Sequence, residues 1–183
     1  MVYVFLAEGF EEIEALMPVD LLRRAGIAVE TVSITGTKQV TGARKISVNA
    51  DRLLGEVDFD AANVLVLPGG MPGTLNLAAC EALMTKVDEF AKSGNQGKKV
   101  AAICAAPAKI LGLRGLVQGK KATCYPGLEG ELNGAEVVYD KVVTDGNITT
   151  SRGLGTAIDF ACELISILDS KEKSDEIRKS VVG

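Results

Sequence analysis

The residue best placed to do chemistry is Cys104. It follows the apolar run 100–103 and precedes Ala105, Ala106 and Pro107, a pattern that predicts a strand ending at a cysteine and a helix beginning at once. This is the layout of a nucleophile elbow, a crowded turn that lifts one side chain above a sheet and needs small neighbours. A helix N-terminus beside the thiol favours the thiolate. The alternative is a buried cysteine that packs as a small hydrophobic residue, and position alone leaves both interpretations open.

A carboxyl group, that of Glu14, is the second candidate. It lies between Ile13 and the apolar stretch 15–17, close to Pro18, whereas most surface carboxylates are solvated. Burial near the active edge of a sheet would raise its pKa. Glu14 would then be a protonated hydrogen-bond donor, or a general acid and base in a chain without histidine.

A glycine pair, Gly69 and Gly70, directly follows the apolar run 64–67. Glycines at the end of a buried strand leave backbone N–H groups free to point at a ligand, and paired donors of this kind hold an oxyanion. The alternative is an ordinary loop. A phosphate loop is excluded, because the Walker spacing and its Lys-Ser/Thr are missing.

The composition excludes several classes of site. Histidine is absent, which rules out Ser-His-Asp triads, Cys-His pairs and histidine-ligated metals. The four cysteines are Cys80, Cys104, Cys124 and Cys162, and no two of them form a C-x-x-C motif. For the three other than Cys104, burial as a structural residue is the favoured interpretation. We expect no metal and no organic cofactor.

Charge and hydropathy bear on partners and location. The net charge is −4 and Lys and Arg are not clustered, so we expect no nucleic-acid partner. No apolar stretch approaches the roughly 20 residues needed to cross a bilayer, so we expect no membrane association. The segment 1–6 lacks the basic region of a secretory signal. The expected location is therefore the cytoplasm, with free thiols.

Short apolar strands that alternate with longer helical stretches must position these candidates. Strands are predicted at 2–7, 27–34, 64–67, 98–103 and 148–151, and helices at 11–25, 75–93, 105–113 and 155–168. The alternation predicts one α/β domain over residues 1–183, with a mostly parallel sheet and helices on both faces. Ligands of such sheets bind beyond the carboxyl ends of the strands, where the glycine pair and Cys104 stand.

Five motifs, taken in order, resemble the ThiJ/PfpI superfamily, in the branch of the Parkinson-disease-linked deglycase. They are the segments 9–14, 18–26, 67–70, 101–107 and 150–156, which together run over most of the chain. The resemblance implies a flavodoxin-like three-layer α/β sandwich of the glutamine-amidotransferase type, with a nucleophile elbow. It also implies a homodimer.

The resemblance further implies roles for individual residues. Cys104 matches the nucleophile and site of oxidation, and Glu14 matches a protonated glutamate that contacts the sulfur. The backbone donors would be Gly69, Gly70 and Ala105. By match, Arg44 approaches the partner's site across the dimer and Arg24 is an interface arginine.

One departure from the family pattern concerns histidine. Many members place one beside the cysteine, whereas the corresponding segment 133–136 here has none. A Cys-His dyad is therefore impossible and a proteolytic activity is disfavoured. Glu14 becomes the only visible acid/base partner.

Two classes of function follow from the resemblance. The first is a cysteine-dependent, glutathione-independent glyoxalase or deglycase that acts on methylglyoxal or its adducts. The second is a redox-sensing, chaperone-like protein controlled by oxidation of Cys104, and an amidase or peptidase ranks third. Under either of the first two, we expect a protonated Glu14 to donate to the sulfur and to lower the pKa of Cys104.

Overall fold

A seven-stranded sheet forms the centre of the computed structural model, which describes residues 1–94 and 97–183. The strands are β1 (Val2–Leu6), β2 (Val29–Ser33), β3 (Gln39–Thr41), β4 (Ser47–Asn49), β5 (Arg52–Leu53), β6 (Val64–Leu67), β7 (Lys99–Ile103), β8 (Lys121–Ala122), β9 (Glu136–Val137), β10 (Val142–Asp145) and β11 (Ile148–Ser151). The α-helices are α1 (Glu12–Arg24), α2 (Gly73–Ala78), α3 (Glu81–Lys92), α4 (Ala157–Leu168) and α5 (Lys171–Ser180).

The strand order of the main sheet is β10-β11-β7-β6-β1-β2-β5. Every neighbouring pair is parallel except β10 with β11, which form a hairpin. The central run β2-β1-β6-β7-β11 has the order of a flavodoxin-like sheet. The predicted mostly parallel sheet is thus confirmed.

Two hydrophobic layers cover the faces of this sheet. Side chains alternate along a strand, so Tyr3 and Phe5 of β1 join one core cluster whereas Val4 and Leu6 join the other. Helix α3 packs on the first face, and α1 and α4 pack side by side on the second. The predicted three-layer sandwich is confirmed.

Two predicted helices differ from what the structure shows. The stretch 75–93 is broken between α2 and α3, and the break lets Leu77 and Leu83 both reach the core. The helix predicted at 105–113 is a π-helix, Pro107–Gly112, followed by an N–H of Leu113 that donates to the Ala108 carbonyl at 3.1 Å. Apolar spacing does not distinguish this wider turn from an α-helix. In the described ranges, no helix has both the length and the apolar character for crossing a membrane.

The sheet brings its candidate residues together at one edge. From β1 the chain goes to β2 on one side and then to β6 on the other, so the strand order reverses between β1 and β6. The loops after β1, β6 and β7 leave the sheet at this switch point, which is the usual ligand position in open α/β sheets.

Candidate active site

Cys104 occupies a strained turn directly after β7. Its φ is 67°, a left-handed conformation that costs an L-residue roughly 1–2 kcal/mol. Two backbone hydrogen bonds hold it there: its N–H donates to the Ser151 carbonyl at 3.0 Å, and its carbonyl accepts from the Tyr125 N–H at 2.8 Å. The main chain therefore has the geometry of a nucleophile elbow.

Glu14 reaches this turn from the first turn of α1. Its side chain is buried, and Oε2 accepts a hydrogen bond from the Gly69 N–H at 3.0 Å. The helix start is fixed by Glu11, whose carboxylate accepts from the Glu14 N–H at 2.8 Å as an N-cap. The Glu14 carboxyl is also hydrogen-bonded to the Cys104 side chain, so residues from two distant parts of the sequence form one polar pair.

Burial raises the pKa of Glu14 from 4.5 to about 7. Desolvation is the main cause, because the charged form loses water that the site does not replace. Hydrogen bonds from Cys104 and from the backbone of Gly69 and Leu154 act in the opposite direction. Near neutral pH the carboxyl therefore exists in both protonation states, as a group that exchanges a proton requires.

The expected low pKa of Cys104 is wrong. Burial, followed by the charge and hydrogen bond of Glu14, raises the pKa of Cys104 to about 12, while backbone groups of Ala105 and Gly70 lower it only in part. The helix behind the thiol is a six-residue π-helix, which does not offset the desolvation. The pKa of Cys104 therefore lies well above that of Glu14, so the carboxyl is the member of the pair that loses its proton first. Between these values the pair carries one negative charge.

The three predicted backbone donors do different things. The N–H groups of Gly70 and Ala105 act on the Cys104 sulfur, whereas that of Gly69 is engaged by Glu14. Gly70 has a φ of 90°, and a Cβ there would lie 2.3 Å from the Glu11 nitrogen. Its glycine is therefore needed for both its conformation and its close packing.

The structure separates the two predicted arginines. Arg44 lines the cavity above Cys104, and its backbone N–H donates at 2.7 Å to the buried carboxylate of Glu12. Arg24 lies at the far end of α1, where it pairs with Asp20 at 3.0 Å on an exposed surface. A dimer role for either residue stays a prediction.

A cavity of about 670 Å³ opens over the Cys104–Glu14 pair. Its wall is formed by α1, by the loop between β3 and β4, and by the segments that follow β6, β7, β8 and β11. The apolar side chains of the wall include Ile13, Ile46, Met71, Tyr125, Leu128 and Leu154. Two residues that line the cavity, Lys109 and Tyr125, were not predicted from the sequence.

Lys109 could have been singled out from the sequence, since it is the one charged residue in the apolar stretch 105–113. The other three cysteines are free; Cys124 and Cys162 are buried as predicted, whereas Cys80 is only half-buried.

Comparison with known proteins agrees with this architecture. The model of the DJ-1/PfpI family matches residues 1–167. Protein dj-1beta of Drosophila melanogaster is 40% identical over 98% of this chain and 95% of its own length. The glutathione-independent glyoxalase DJR-1.2 of Caenorhabditis elegans is 30% identical over 94% of this chain and 90% of its length.

Two further relatives extend the comparison. Protein DJ-1 homolog A of Arabidopsis thaliana is 36% identical over 99% of this chain, which spans only 45% of that relative's length. The solved structure of oxidized Toxoplasma gondii DJ-1 superposes with a TM-score of 0.93 at 36% identity, covering 99% of this chain and 97% of the other. With the family match, these similarities show that the chain belongs to the DJ-1/PfpI family.

Proposed function

We propose that this chain is a cysteine-dependent, glutathione-independent glyoxalase or deglycase for small 2-oxoaldehydes, such as methylglyoxal, or their adducts. The observation that carries the proposal is the hydrogen-bonded Glu14–Cys104 pair, in which a carboxyl group with a pKa of about 7 contacts a thiol at the floor of a cavity. The family relative named as a glutathione-independent glyoxalase supports the same chemistry.

The first step is attack of the Cys104 sulfur on the aldehyde carbon C1. A thiol with a raised pKa is a poor nucleophile unless a base removes its proton. The Glu14 carboxylate takes that proton while the S–C1 bond forms and the carbonyl π bond breaks, leaving negative charge on the C1 oxygen. The N–H groups of Gly70 and Ala105 stabilise this oxyanion. Glu14 then returns the proton to it and gives a hemithioacetal.

The second step moves a hydrogen from C1 to C2. The Glu14 carboxylate removes the C1 proton, and the electron pair of that C–H bond forms a C1–C2 double bond, which leaves an enediolate with its charge on the C2 oxygen. Protonated Glu14 then delivers the proton to C2, and the C1 hydroxyl proton passes to the C2 oxygen. The product is a 2-hydroxyacyl thioester of Cys104.

Hydrolysis of this thioester completes the cycle. Water adds to C1, the C1–S bond breaks, and the thiol regains a proton as the 2-hydroxy acid leaves. From methylglyoxal the product is lactate, so the net reaction is addition of one water. With an aminocarbinol adduct as substrate, the C1–N bond breaks while the C1 carbonyl re-forms; the amine takes a proton from Glu14, Glu14 takes the C1 hydroxyl proton, and the aldehyde so formed enters the first step.

Lactate formation from methylglyoxal without added thiol tests this proposal. Wild type should form lactate, whereas Cys104→Ser and Glu14→Gln should each lose most of the turnover. Cys162→Ser, which changes a thiol outside the cavity, is the matched control and should retain it. Equal turnover by wild type and Cys104→Ser would refute a cysteine mechanism.

Oxidation sensing is a second candidate. The backbone N–H groups of Gly70 and Ala105 and a protonated Glu14 could hold the oxygens of a Cys104 sulfinate, and the Toxoplasma relative was solved in a form described as oxidized. The raised pKa of Cys104 ranks this function second, because the thiolate is the form that reacts with peroxide. Two equivalents of hydrogen peroxide convert the thiolate to a sulfinate and release two waters. Mass spectrometry of the Cys104 peptide after peroxide treatment measures how fast this occurs.

A homodimer in the cytoplasm is part of the same proposal. Five large hydrophobic side chains that line the cavity are exposed by 42–55%, namely Ile13, Ile46, Met71, Tyr125 and Leu154. Such a patch is typical of a surface that a second copy covers. Sedimentation should give twice the chain mass of 19.2 kDa, and Ile13→Glu should shift the protein toward the monomer. The free cysteines suit a reducing compartment.

A further inference from the structure

Lys109 is a half-buried cation in the wall of the cavity that holds Cys104 and Glu14. It belongs to the π-helix that follows the elbow, and its backbone N–H donates to the Ala105 carbonyl at 2.9 Å. Its side chain is only 23% exposed. The other cation that lines the cavity within the described residues, Arg44, is exposed.

Glu131 holds the Lys109 ammonium in place. The Nζ–Oε1 distance is 2.6 Å, and the second oxygen of Glu131 is buried without a hydrogen-bond partner among the described residues. The backbone of Glu131 is itself fixed against the π-helix, because a Cβ at Gly112 would lie 2.1 Å from the Glu131 carbonyl oxygen. The ammonium is thus anchored on one side and still has two N–H donors to offer the cavity.

The reaction proposed above needs a donor at this kind of position. Charge on the C1 oxygen meets the N–H groups of Gly70 and Ala105, but the enediolate places its charge on the C2 oxygen, one carbon further from the sulfur. The carboxylates of Glu11 and Glu12, which line the cavity at the start of α1, cannot stabilise that charge, and Glu14 at this stage holds the proton that it must deliver to C2. A fixed ammonium whose side chain is largely shielded from solvent can do so.

We propose that Lys109, positioned by Glu131, binds the oxygen on C2 of the substrate. The cavity therefore selects molecules in which the carbon next to the one bonded to sulfur carries an oxygen that is anionic or becomes anionic. This inference rests on the proposed function for the choice of substrate, although the anion-binding role of Lys109 does not require turnover. Glu131 is a positioning residue, since it acts through Lys109.

Alkylation of Cys104 tests the anion-binding role without any turnover. Iodoacetate and iodoacetamide transfer groups of almost the same size to the sulfur with loss of iodide, but only iodoacetate carries an anionic oxygen beside the reacting carbon. The rate constant for iodoacetate at Cys104 divided by that for iodoacetamide, both followed by mass spectrometry, is the ratio to compare. It should fall about tenfold in Lys109→Met, as expected for loss of one charged hydrogen bond. Lys109→Arg should keep most of the ratio.

Matched variants separate this effect from general charge. Lys86→Met removes a lysine that is also ion-paired, to Glu89 at 2.8 Å, but does not line the cavity, so the ratio should not change. Glu131→Gln keeps a side-chain oxygen that can accept from the Lys109 ammonium and hold its position, but removes the negative charge that neutralises it, so the ratio should rise. The proposal is overturned if Lys109→Met leaves the ratio unchanged, or if Arg44→Met lowers it as much as Lys109→Met does.

Turnover gives an independent reading. Because the C2 oxygen gains its charge only along the reaction, Lys109→Met should lower kcat for methylglyoxal far more than it changes KM, and Lys109→Arg should restore part of kcat. Unchanged kcat in Lys109→Met contradicts the role of Lys109. If wild type forms no lactate, the proposed function fails, and a tenfold change in the alkylation ratio would still support Lys109 as the anion-binding residue.

Discussion

The backbone of Gly69 lies directly against the side chain of Cys104. A Cβ atom at position 69 would lie 2.6 Å from Cys104 Cβ, 3.0 Å from its Sγ and 2.5 Å from Glu14 Oε2. The same glycine donates its N–H to Glu14. Gly69 therefore sets the distance at which the carboxyl and the thiol meet, and this contact has several testable consequences.

Gly69→Ala should disrupt the site more than its size suggests. The added methyl group overlaps both members of the pair, so we expect a loss of about 1–3 kcal/mol in the free energy of unfolding and loss of most activity. Gly55→Ala is the matched control, because no atom of residues 1–94 or 97–183 lies within 4 Å of a Cβ there. Urea denaturation and lactate assays of both variants decide the point. Equal stability of Gly69→Ala and wild type would mean that the loop moves freely and does not fix the pair.

Cys104→Gly should be at least as stable as Cys104→Ala. Glycine normally destabilises relative to alanine, but the φ of 67° at this position removes that penalty and favours glycine by about 1 kcal/mol. Both variants lose the thiol and its contact with Glu14, so their difference isolates the backbone strain. Urea denaturation measures it. If alanine is the more stable by the usual margin, the elbow relaxes without cost and stores no strain.

Glu14→Gln should lower the pKa of Cys104 below its wild-type value of about 12. The substitution removes the negative charge beside the sulfur and leaves the N–H groups of Ala105 and Gly70 in place. Thiolate absorbance, corrected with the corresponding Cys104→Ala variants, gives the pKa. Glu8→Gln changes an exposed carboxylate that does not line the cavity and should have no effect on Cys104. A rise in Glu14→Gln would instead mean that the wild-type carboxyl acts mainly as a donor to the thiolate.

Much of the fold could be predicted from the sequence because its signals are local. The run Val64–Leu67 is apolar throughout, which indicates a strand buried on both faces, and it forms β6 with those bounds. The elbow at Cys104 could be recognised from small residues around a strand end. The charge state of its thiol could not, because that depends on how far the loops after β1 and β6 desolvate it. The role of Lys109 likewise requires Glu131, which approaches it only in the folded chain.

The protonation of Glu14 should make the stability of the protein depend on pH. The pKa of Glu14 is about 7 in the folded protein and close to 4.5 when the chain is unfolded, so between these values the folded state binds more protons. Stability must then fall as pH rises. The contribution is fully present below about pH 4.5 and is lost as pH passes 7. At 1.36 kcal/mol per pH unit the loss is about 3 kcal/mol.

Glu14→Gln isolates this contribution, because glutamine is neutral throughout and the other titrating groups cancel in the comparison. The difference in unfolding free energy between wild type and Glu14→Gln should therefore decrease by about 3 kcal/mol from pH 4.5 to 7.5. Urea denaturation at several pH values measures it, and the difference between wild type and Gly55→Ala should stay constant over the same range. A constant difference for Glu14→Gln would show that Glu14 is ionised at neutral pH. In that case its carboxylate would be too weak a base to take the protons of the thiol and of C1, and the proposed hydrogen transfer would need another base.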